Sequence, residues 1–473
     1  MKTFGIVGGL GTLSGGDLFF KLLKSKAVLE NQQDFHFLFE QHPYQQMNAR
    51  LENEADLHSR KFYAYTTCKA FEAKQVDKVL LPCFASHGFI DQLQTELQIP
   101  ILNLFDALSY YLKNTLKKDE KVGIIASDYV KKSKLFSRYF KDYELVFPSS
   151  QSLIMEAVYG PQGIKNGYLE GISLEYIYQA CLELEQTGCR VIVPGITELS
   201  LLCEPLARRG IRLMDVNQIY VNYALASEIR KPSKEFKLGI LGGVGPAATV
   251  DFMAKVIKNT PAQKDQDHIK MVVEQNPQIP DRTAHLLRNE ADPTLAMFST
   301  CKQLEAEGAQ AIAIPCNTAH AFIEAIQPHL RIPIIHMLHV TIEHIIKQYG
   351  KAVKVGLLAT SGTIESQVYH EIASKEGLSL LIPEPEFQKE VMASIYGPKG
   401  VKAGFSKGQC VEDLTKAIDH LTQRGAEVLI LGCTELPLMF PDQTSIVSQG
   451  KRVELADPTT LLAKKCVHLA LNV

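Results

Sequence analysis

The sequence lacks tryptophan, long apolar runs and any strong excess of charge. Its longest apolar runs, such as Val428–Leu431, have the length of strands and fall far short of the roughly 20 residues that a membrane-spanning helix needs. The formal net charge is only −2 over 473 residues, which gives no general attraction for nucleic acid or anionic membranes. Residues 1–6 enter a strand-like run directly and contain no signal-peptide core. We therefore expect a cytoplasmic protein without nucleic-acid or membrane partners.

Metal-binding and disulfide patterns are also missing. The ten cysteines are scattered through long periodic segments, and neither a Cys-x-x-Cys nor a His-Glu-x-x-His spacing occurs. Without an export signal, such cysteines are expected to be reduced thiols, and a metal site has little support. No lysine stands in a context that marks a Schiff base with pyridoxal phosphate. No metal and no cofactor is predicted.

The second half of the chain repeats the first at a nearly constant separation. Residues 5–8 correspond to 239–242, 40–43 to 274–277, 121–126 to 354–359, and 158–165 to 395–402. A repeat of this length indicates a duplicated domain, because solenoid units are far shorter. The stretch 228–235 is charged and contains a proline, as a linker does. We predict domains at 1–230 and 237–473.

Short runs rich in Val, Ile and Leu alternate with helical patterns in each half. In the second half they predict strands at 237–242, 269–274, 311–314, 334–336, 353–359, 379–382 and 428–432, and helices at 249–258, 295–307 and 409–424. Strand–helix alternation favours parallel sheets covered by helices on both faces. The predicted fold class is α/β, with two small parallel-sheet lobes in each domain. The lobes are placed at about 1–105, 106–230, 237–340 and 341–473.

Two cysteines stand at equivalent places, directly after predicted strands. Cys316 opens Cys-Asn-Thr-Ala-His, and Cys433 opens Cys-Thr-Glu-Leu. Open parallel sheets bind ligands at the carboxyl ends of their strands, where a helix amino terminus stabilises a thiolate. Two thiols on opposite sides of one carbon can remove a proton from one face and return one to the other. The following cysteines are interpreted as core residues: Cys68, Cys181, Cys189, Cys203, Cys301, Cys410 and Cys466.

Four motifs of the second half resemble a known family. They are Gly-Gly-Val-Gly-Pro-Ala-Ala-Thr at 242–249, Pro-Asp-Arg-Thr at 280–283, Pro-Cys-Asn-Thr-Ala-His at 315–320 and Gly-Cys-Thr-Glu-Leu at 432–436. In this order they resemble the aspartate racemase branch of the aspartate/glutamate/hydantoin racemase family. The resemblance implies cofactor-independent 1,1-proton transfer on an acidic amino acid. It implies Cys316 and Cys433 as the acid–base pair, in a cleft between two α/β lobes.

The same resemblance implies a set of substrate-binding side chains. They carry hydroxyl, amide or cationic groups: Thr249, Arg282, Asn317, Thr318, Thr363, Lys402 and Thr434. Asn317, Thr318 and Thr434 are expected at the α-carboxylate, where fixed donors stabilise the charge that develops as the proton leaves. Arg282 and Lys402 are expected at the distal carboxylate, since a guanidinium fork suits a carboxylate. The alternatives are a surface ion pair of Arg282 with Asp281 and a solvated helix-end lysine at position 402.

The first half departs from these motifs at most functional positions. Ile196 stands opposite Cys433, Asn48 opposite Arg282, and Phe84 and Ala85 opposite Asn317 and Thr318, whereas Cys83, Tyr159, Lys165 and Glu198 persist. We predict that this half keeps the fold, is catalytically inert and supports the second half as an internal pseudo-dimer, with a further homo-oligomer left open. The alternative is a regulatory first half that binds a different small molecule.

Other functions compete with that of an aspartate racemase. Residues 243–248 satisfy a loose G-x-G-x-x-A pattern, which a nicotinamide dehydrogenase uses, but that function explains neither cysteine motif. A glutamate or broad-specificity amino-acid racemase, a hydantoin racemase, a one-cysteine decarboxylase and a non-enzymatic binding protein are the remaining alternatives. Arg282 favours a substrate with a distal acid. Aspartate and glutamate differ by one methylene, which a pocket typically discriminates by only about 1–3 kcal/mol. Aspartate is preferred on motif resemblance alone.

Overall fold

Four β-sheets organise the part of the chain that the structure describes. A computed structural model describes residues 1–42, 50–51, 54–228 and 235–472. The chain divides into two units, Met1–Lys234 and Glu235–Val473, with two sheets in each. Asn48 and most of the predicted linker lie outside the described residues, and the predicted lobe boundaries stay predictions. Within the described ranges, no helix is long and apolar enough to cross a membrane.

The first unit contains two parallel sheets with strand orders β2-β1-β3-β4 and β6-β5-β7. The strands are β1 (Lys2–Val7), β2 (Phe35–Glu40), β3 (Lys78–Leu80), β4 (Ile101–Leu102), β5 (Lys121–Ala126), β6 (Glu144–Val146) and β7 (Val191–Gly195). The helices are α1 (Thr12–Lys24), α2 (Lys26–Glu30), α3 (Glu54–Ala73), α4 (Ile90–Glu96), α5 (Leu104–Thr115), α6 (Asp128–Lys132), α7 (Leu135–Tyr139), α8 (Gln151–Tyr159), α9 (Ile172–Gln186), α10 (Cys203–Ala207) and α11 (Val216–Ala226).

The second unit has sheets of order β9-β8-β10-β11 and β13-β12-β14-β16-β15. The strands are β8 (Lys237–Gly242), β9 (Lys270–Gln275), β10 (Ala311–Ala313), β11 (Ile334–Ile335), β12 (Val355–Leu358), β13 (Leu380–Leu381), β14 (Val428–Leu431), β15 (Ser445–Ser448) and β16 (Lys451–Ala456). The helices are α12 (Pro246–Asn259), α13 (Arg282–Arg288), α14 (Thr294–Ala306), α15 (Ile323–Ile326), α16 (Met337–Tyr349), α17 (Ser361–Glu365), α18 (Val368–Lys375), α19 (Pro385–Tyr396), α20 (Gln409–Gln423) and α21 (Pro458–Leu471).

The apolar patterns of the sequence explain these elements. All four residues of β14 are at most 1% exposed, as expected for a strand covered on both faces. Helix α20 buries Leu414, Ala417, Ile418 and Leu421, which share one face at helical spacing. Helix α12 begins earlier than predicted because Pro246 takes the first helical position, where its missing N–H costs nothing. The predicted α/β class with parallel sheets is confirmed.

One edge of the second unit departs from the all-parallel prediction. Strands β15 and β16 form an antiparallel hairpin that the strand predictions do not include. Its two-residue turn is Gln449-Gly450, and both residues have left-handed backbone angles, with φ of 50° and 71°. Such turns match the twist of paired strands. In the sequence, the hairpin could have been detected from this turn, which lies between two short segments of strand-forming residues.

Candidate active site

One cavity in the second unit brings both predicted catalytic cysteines together. Cys316 follows β10 and Cys433 follows β14, so they come from the carboxyl ends of different sheets. The cavity has a free volume of about 20 Å³, and its lining is Val244, Arg282, Thr283, Cys316, Asn317, Thr318, Thr360, Tyr396, Lys402, Cys433, Thr434 and Glu435. Cys316 is 7% exposed and Cys433 is 6% exposed. Each thiol is therefore largely shielded from water while it borders the same small space.

Five of the seven predicted substrate-binding residues line this cavity, and two do not. Thr249 is buried beneath the glycine-rich turn, where its hydroxyl accepts from the Gly243 N–H at 3.1 Å and donates to the Gly245 carbonyl at 3.2 Å. Its hydroxyl thus holds the turn, and its placement does not support the predicted substrate contact. Thr363 is fully buried, and Thr360 takes its place in the cavity lining. The reason is helical geometry, since Thr360 caps α17 by accepting from the Thr363 N–H at 3.2 Å.

A guanidinium lies beside Cys316. Arg282 is only 8% exposed and lines the cavity together with Cys316. Burial disfavours its charge, but the neighbouring Cys316 and Asp281 more than compensate and raise the pKa of Arg282. Nη1 donates to the carbonyls of Ile279 at 3.3 Å and Pro280 at 3.0 Å, and Nη2 donates to the Val244 carbonyl at 3.1 Å. These bonds fix the guanidinium in place.

The alternative of a surface ion pair for Arg282 does not describe this arrangement. The Asp281 side chain accepts from the Ala284 N–H at 2.7 Å and so caps helix α13. Arg282, the next residue, turns inward to the cavity.

A carboxylate lies beside Cys433. The thiol donates to Glu435 Oε2 at 3.0 Å, and Glu435 Oε1 accepts from Lys402 Nζ at 2.6 Å. Burial first, and then the negative charge of Glu435, raises the pKa of Cys433 well above its usual value. Lys402 outweighs the effect of burial on Glu435 and lowers the pKa of that carboxyl. Lys402 is therefore an ion-paired residue of the cavity and not a solvated helix-end lysine.

Polar groups without charge complete the lining. The hydroxyls of Thr318 and Thr363 are 2.7 Å apart, and Thr360 lies 3.1 Å from Thr363 and 3.3 Å from both Thr318 and Thr283. Asn317 Oδ1 accepts from the Tyr369 hydroxyl at 2.6 Å. Asn317 Nδ2 is buried and has no hydrogen-bond partner among the described residues. The cavity thus contains donors suited to a carboxylate.

Five lining residues received no predicted role: Val244, Thr283, Thr360, Tyr396 and Glu435. Thr283 and Glu435 stand next to or near predicted site residues in the sequence.

No group of histidine, cysteine and acidic side chains in the described ranges is arranged to hold a metal ion.

Comparison with known proteins identifies the architecture. A model of the Asp/Glu/Hydantoin racemase family matches the chain twice, over residues 7–224 and 241–466. The chain belongs to this family. It is therefore an isomerase built from two tandem racemase domains, as the resemblance of the motifs implies.

Similar proteins include racemases whose names state different specificities. The Broad specificity amino-acid racemase RacX of Bacillus subtilis is 28% identical over 242 residues, which cover 50% of this chain and 98% of RacX. The glutamate racemase of Persephonella marina is 27% identical, over 39% of this chain and 69% of its own length. The solved aspartate racemase of Picrophilus torridus is 29% identical, covers 50% of this chain and 94% of its own, and superposes with a TM-score of 0.43.

The first racemase unit keeps a guanidinium beside its cysteine, although it comes from a different element. Cys83 follows β3, and Arg60 Nη1 donates to its sulfur at 3.1 Å and to the Leu10 carbonyl at 3.4 Å. In the second unit, Arg282 lines the same cavity as Cys316 and donates to the carbonyl of Val244, which corresponds to Leu10. Arg60 belongs to α3, whereas the residue aligned with Arg282 is Asn48, which the structure does not describe. Position-by-position comparison therefore missed this arginine.

The first racemase unit also keeps the buried ion pair. Lys165 pairs with Glu198, as Lys402 pairs with Glu435, and the Lys165 and Glu198 side chains are at most 7% exposed. The position of the second cysteine is occupied by Ile196, which is 6% exposed. Phe84, in place of Asn317, packs on the ring of Phe105 with centroids 5.3 Å apart. The positions of this unit that correspond to the cavity thus hold one thiol and two cations, with apolar Ile196 and Phe84 in place of the second thiol and the amide.

Proposed function

We propose that the second unit is a cofactor-independent aspartate racemase that uses Cys316 and Cys433 as its two acid–base groups. The observation that carries this proposal is the single cavity that both thiols border. A proton on the α-carbon of an amino acid held there would have one sulfur on each side. Inversion of the centre needs that arrangement, since one group must remove a proton and another must supply one from the opposite face.

The surroundings of Cys433 assign the roles of the two thiols. Cys433 donates to a carboxylate and its pKa is raised, so it starts as the acid. Cys316 is then the base. The Cys316 thiolate takes the α-proton, and the C–H electron pair moves into the carboxylate to form an enediolate-like species. The Cys433 S–H then delivers its proton to the other face, and the pair is left ready for the reverse reaction.

Neutral donors at the α-carboxylate supply the stabilisation that a thiolate base requires. The Asn317 amide nitrogen and the hydroxyls of Thr318 and Thr360 border the cavity. They are fixed by bonds to neighbouring side chains before any substrate arrives. One well-placed donor toward developing charge commonly contributes about 3 to 4 kcal/mol to the transition state. The donors therefore lower the barrier to loss of a weakly acidic α-proton.

Two cations support a dicarboxylate substrate. Arg282 and Lys402 both border the cavity, and each is held in place by fixed acceptors. They suit the distal carboxylate, whereas the threonine and asparagine donors suit the α-carboxylate. Aspartate is proposed over glutamate because the four motifs resemble the aspartate racemase branch. The names of RacX and of the glutamate racemases state other specificities, so glutamate and neutral amino acids are the necessary comparison substrates.

On this proposal the first unit folds as a racemase domain but does not racemise. Ile196 removes the second thiol, and Phe84 with Ala85 removes the amide and hydroxyl donors. Its expected role is to support the second unit in an internal pseudo-dimer.

The decisive experiment follows exchange at the α-carbon. L-aspartate, L-glutamate and L-alanine are incubated separately with the full chain in deuterated water, without added cofactor. Aspartate is expected to gain deuterium at the α-carbon and to lose optical activity together. Equal or faster reaction of glutamate or alanine would overturn the aspartate assignment, and no exchange with any of them would overturn the racemase proposal.

Cysteine variants test the two-thiol mechanism. Cys316→Ala and Cys433→Ala are each expected to lower racemisation by at least about 10³-fold, since inversion needs both groups. Cys83→Ala is the matched control, because it removes a thiol that also follows a strand and contacts an arginine. Racemisation by this control is expected to remain near that of the unmodified chain. A comparable loss in Cys83→Ala would show that the first unit takes part in the reaction.

A further inference from the structure

Tyr369 does not line the cavity, but its buried hydroxyl bonds a residue that does. Its side chain is fully buried, and burial raises its pKa far above the usual value, so the phenol stays protonated. The hydroxyl donates to Asn317 Oδ1 at 2.6 Å. Asn317 lines the cavity, and its Nδ2 has no partner among the described residues. The tyrosine therefore lies directly behind a donor that faces the proposed substrate.

The direction of this bond decides what Asn317 offers. An amide has an acceptor oxygen and a donor nitrogen on the same carbon, and rotation about the bond to that carbon exchanges them. With the phenol proton on Oδ1, the nitrogen is the end left for the cavity. In the opposite orientation Asn317 would present an oxygen to a carboxylate, which repels it. The bond that the phenol donates to Oδ1 thus holds Asn317 in the orientation that binds a carboxylate.

The first unit has lost both partners of this bond. Helices α7 and α18 correspond to each other, because each begins directly after a residue with left-handed backbone angles: Lys134, with φ of 55°, and Gln367, with φ of 58°. Phe136 and Tyr369 are each the second residue of their helix, so Phe136 occupies the position of Tyr369. Phe84 occupies the position of Asn317, and its ring lies 5.4 Å from that of Phe136. The arginine–cysteine contact and the lysine–glutamate pair are kept in that unit. The tyrosine and the asparagine are thus replaced together.

We propose that Tyr369 is a positioning residue for racemisation, which orients the Asn317 amide so that Nδ2 meets the α-carboxylate. This proposal rests on the proposed function of the second unit. Charge on the α-carboxylate grows as the α-proton leaves, so an oriented donor acts more strongly on the transition state than on bound substrate. Loss of orientation should therefore lower kcat more than it raises KM.

Tyr369→Phe removes only the hydroxyl and introduces the residue that the first unit already holds in the same fold. We expect kcat for racemisation to fall about tenfold or more, with KM changed less than about threefold. Tyr220→Phe is the matched control, because Tyr220 is equally buried in the first unit and its hydroxyl bonds backbone groups of Leu81 and Leu102. This control is expected to change thermal stability without changing kcat.

A double-mutant cycle separates positioning from general support of the fold. Asn317→Ala is expected to lower kcat about 10²-fold. If Tyr369 acts through Asn317, adding Tyr369→Phe to Asn317→Ala should lower kcat by less than about twofold more. Multiplicative losses in the cycle, or an unchanged kcat in Tyr369→Phe while Asn317→Ala is impaired, would overturn the positioning role alone. Absence of racemisation by the unmodified chain would overturn the proposed function and this proposal with it.

Discussion

At the scale of single residues, the two thiols of the second unit differ in charge environment. Cys316 has a guanidinium as neighbour, whereas Cys433 has a carboxylate. Identical side chains in a facing pair would be interchangeable in water, but here burial and the carboxylate raise the pKa of Cys433. On the proposed mechanism Cys433 therefore starts as the acid, and the free protein accepts the enantiomer whose α-hydrogen points to Cys316.

Glu435 is predicted to set the alkaline limit of activity. Its charge helps to raise the pKa of Cys433, and Lys402 opposes it. In Glu435→Gln the raising charge is gone and the lysine acts alone, so the pKa of Cys433 should fall. A thiol with a lower pKa loses its proton at lower pH. The alkaline limb of kcat/KM for the direction in which Cys433 is the acid should therefore move to lower pH.

The control for this titration lies in the first unit. Glu198→Gln breaks the equivalent buried pair with Lys165, where no cysteine occupies the second position. The alkaline limb is expected to stay in place in this variant. If the alkaline limb of kcat/KM for Glu435→Gln stays at the same pH or moves to higher pH, the titrating acid is a group other than Cys433.

At the scale of elements, the glycine-rich turn after β8 is shaped by close contacts. Gly245 precedes α12 with φ of 130°, and a Cβ there would lie 2.5 Å from Glu435 Oε1. Gly243 has φ of 86°, and its Cβ would lie 2.4 Å from the Asn276 carbonyl carbon. The turn therefore needs glycine both for its backbone and for the space that Glu435 occupies.

Gly245→Ala is predicted to destabilise the second unit and to lower kcat/KM. Backbone strain of this kind costs about 1 to 3 kcal/mol, and the methyl group also displaces the carboxylate that contacts Cys433. The thermal unfolding midpoint and steady-state racemisation would measure the two effects. Gly404→Ala is the control, since Gly404 also has a positive φ, of 95°, but a Cβ added there would meet no described atom within 4 Å. Gly404→Ala should lower stability without lowering kcat/KM. Equal loss of activity in both variants would contradict a specific role for the Glu435 contact.

Sequence patterns were sufficient for the strands that form the sheet interiors, because these strands are continuous apolar runs. They were insufficient where a contact depends on distant elements. Arg60 reaches Cys83 from α3, so alignment with Arg282 pointed to Asn48 instead. Thr360 and Thr363 lie one helical turn apart, and the sequence alone could not decide which of them borders the cavity. The contact of Glu435 with Cys433 likewise depends on side-chain direction after a strand.

At the scale of the whole molecule, the two units of one chain carry different residues at equivalent positions. The groups that both units share are the arginine–cysteine contact and the lysine–glutamate pair. The groups confined to the second unit are the second thiol and the neutral donors. The shared groups are therefore insufficient for inversion on the proposed mechanism.

Restoring the second thiol alone should not restore racemisation. Ile196→Cys would place a cysteine at the position equivalent to Cys433, but Phe84 and Ala85 still offer no donor to the α-carboxylate. In a Cys433→Ala background, this variant is expected to show no inversion of aspartate above that background. Chiral analysis after prolonged incubation would measure it. Appreciable inversion would show that the missing thiol was the principal defect of the first unit.

The threonine hydroxyls of the second unit can change the direction of their hydrogen bonds when an anion binds. Thr283, Thr318, Thr360 and Thr363 form a chain of hydroxyl oxygens at hydrogen-bond spacing. Each hydroxyl hydrogen can swing about its C–O bond while the oxygen stays in place. These hydroxyls can thus reverse the direction of their hydrogen bonds and point hydrogens at the ligand. Only the hydrogen atoms rotate, and the oxygen atoms stay in place.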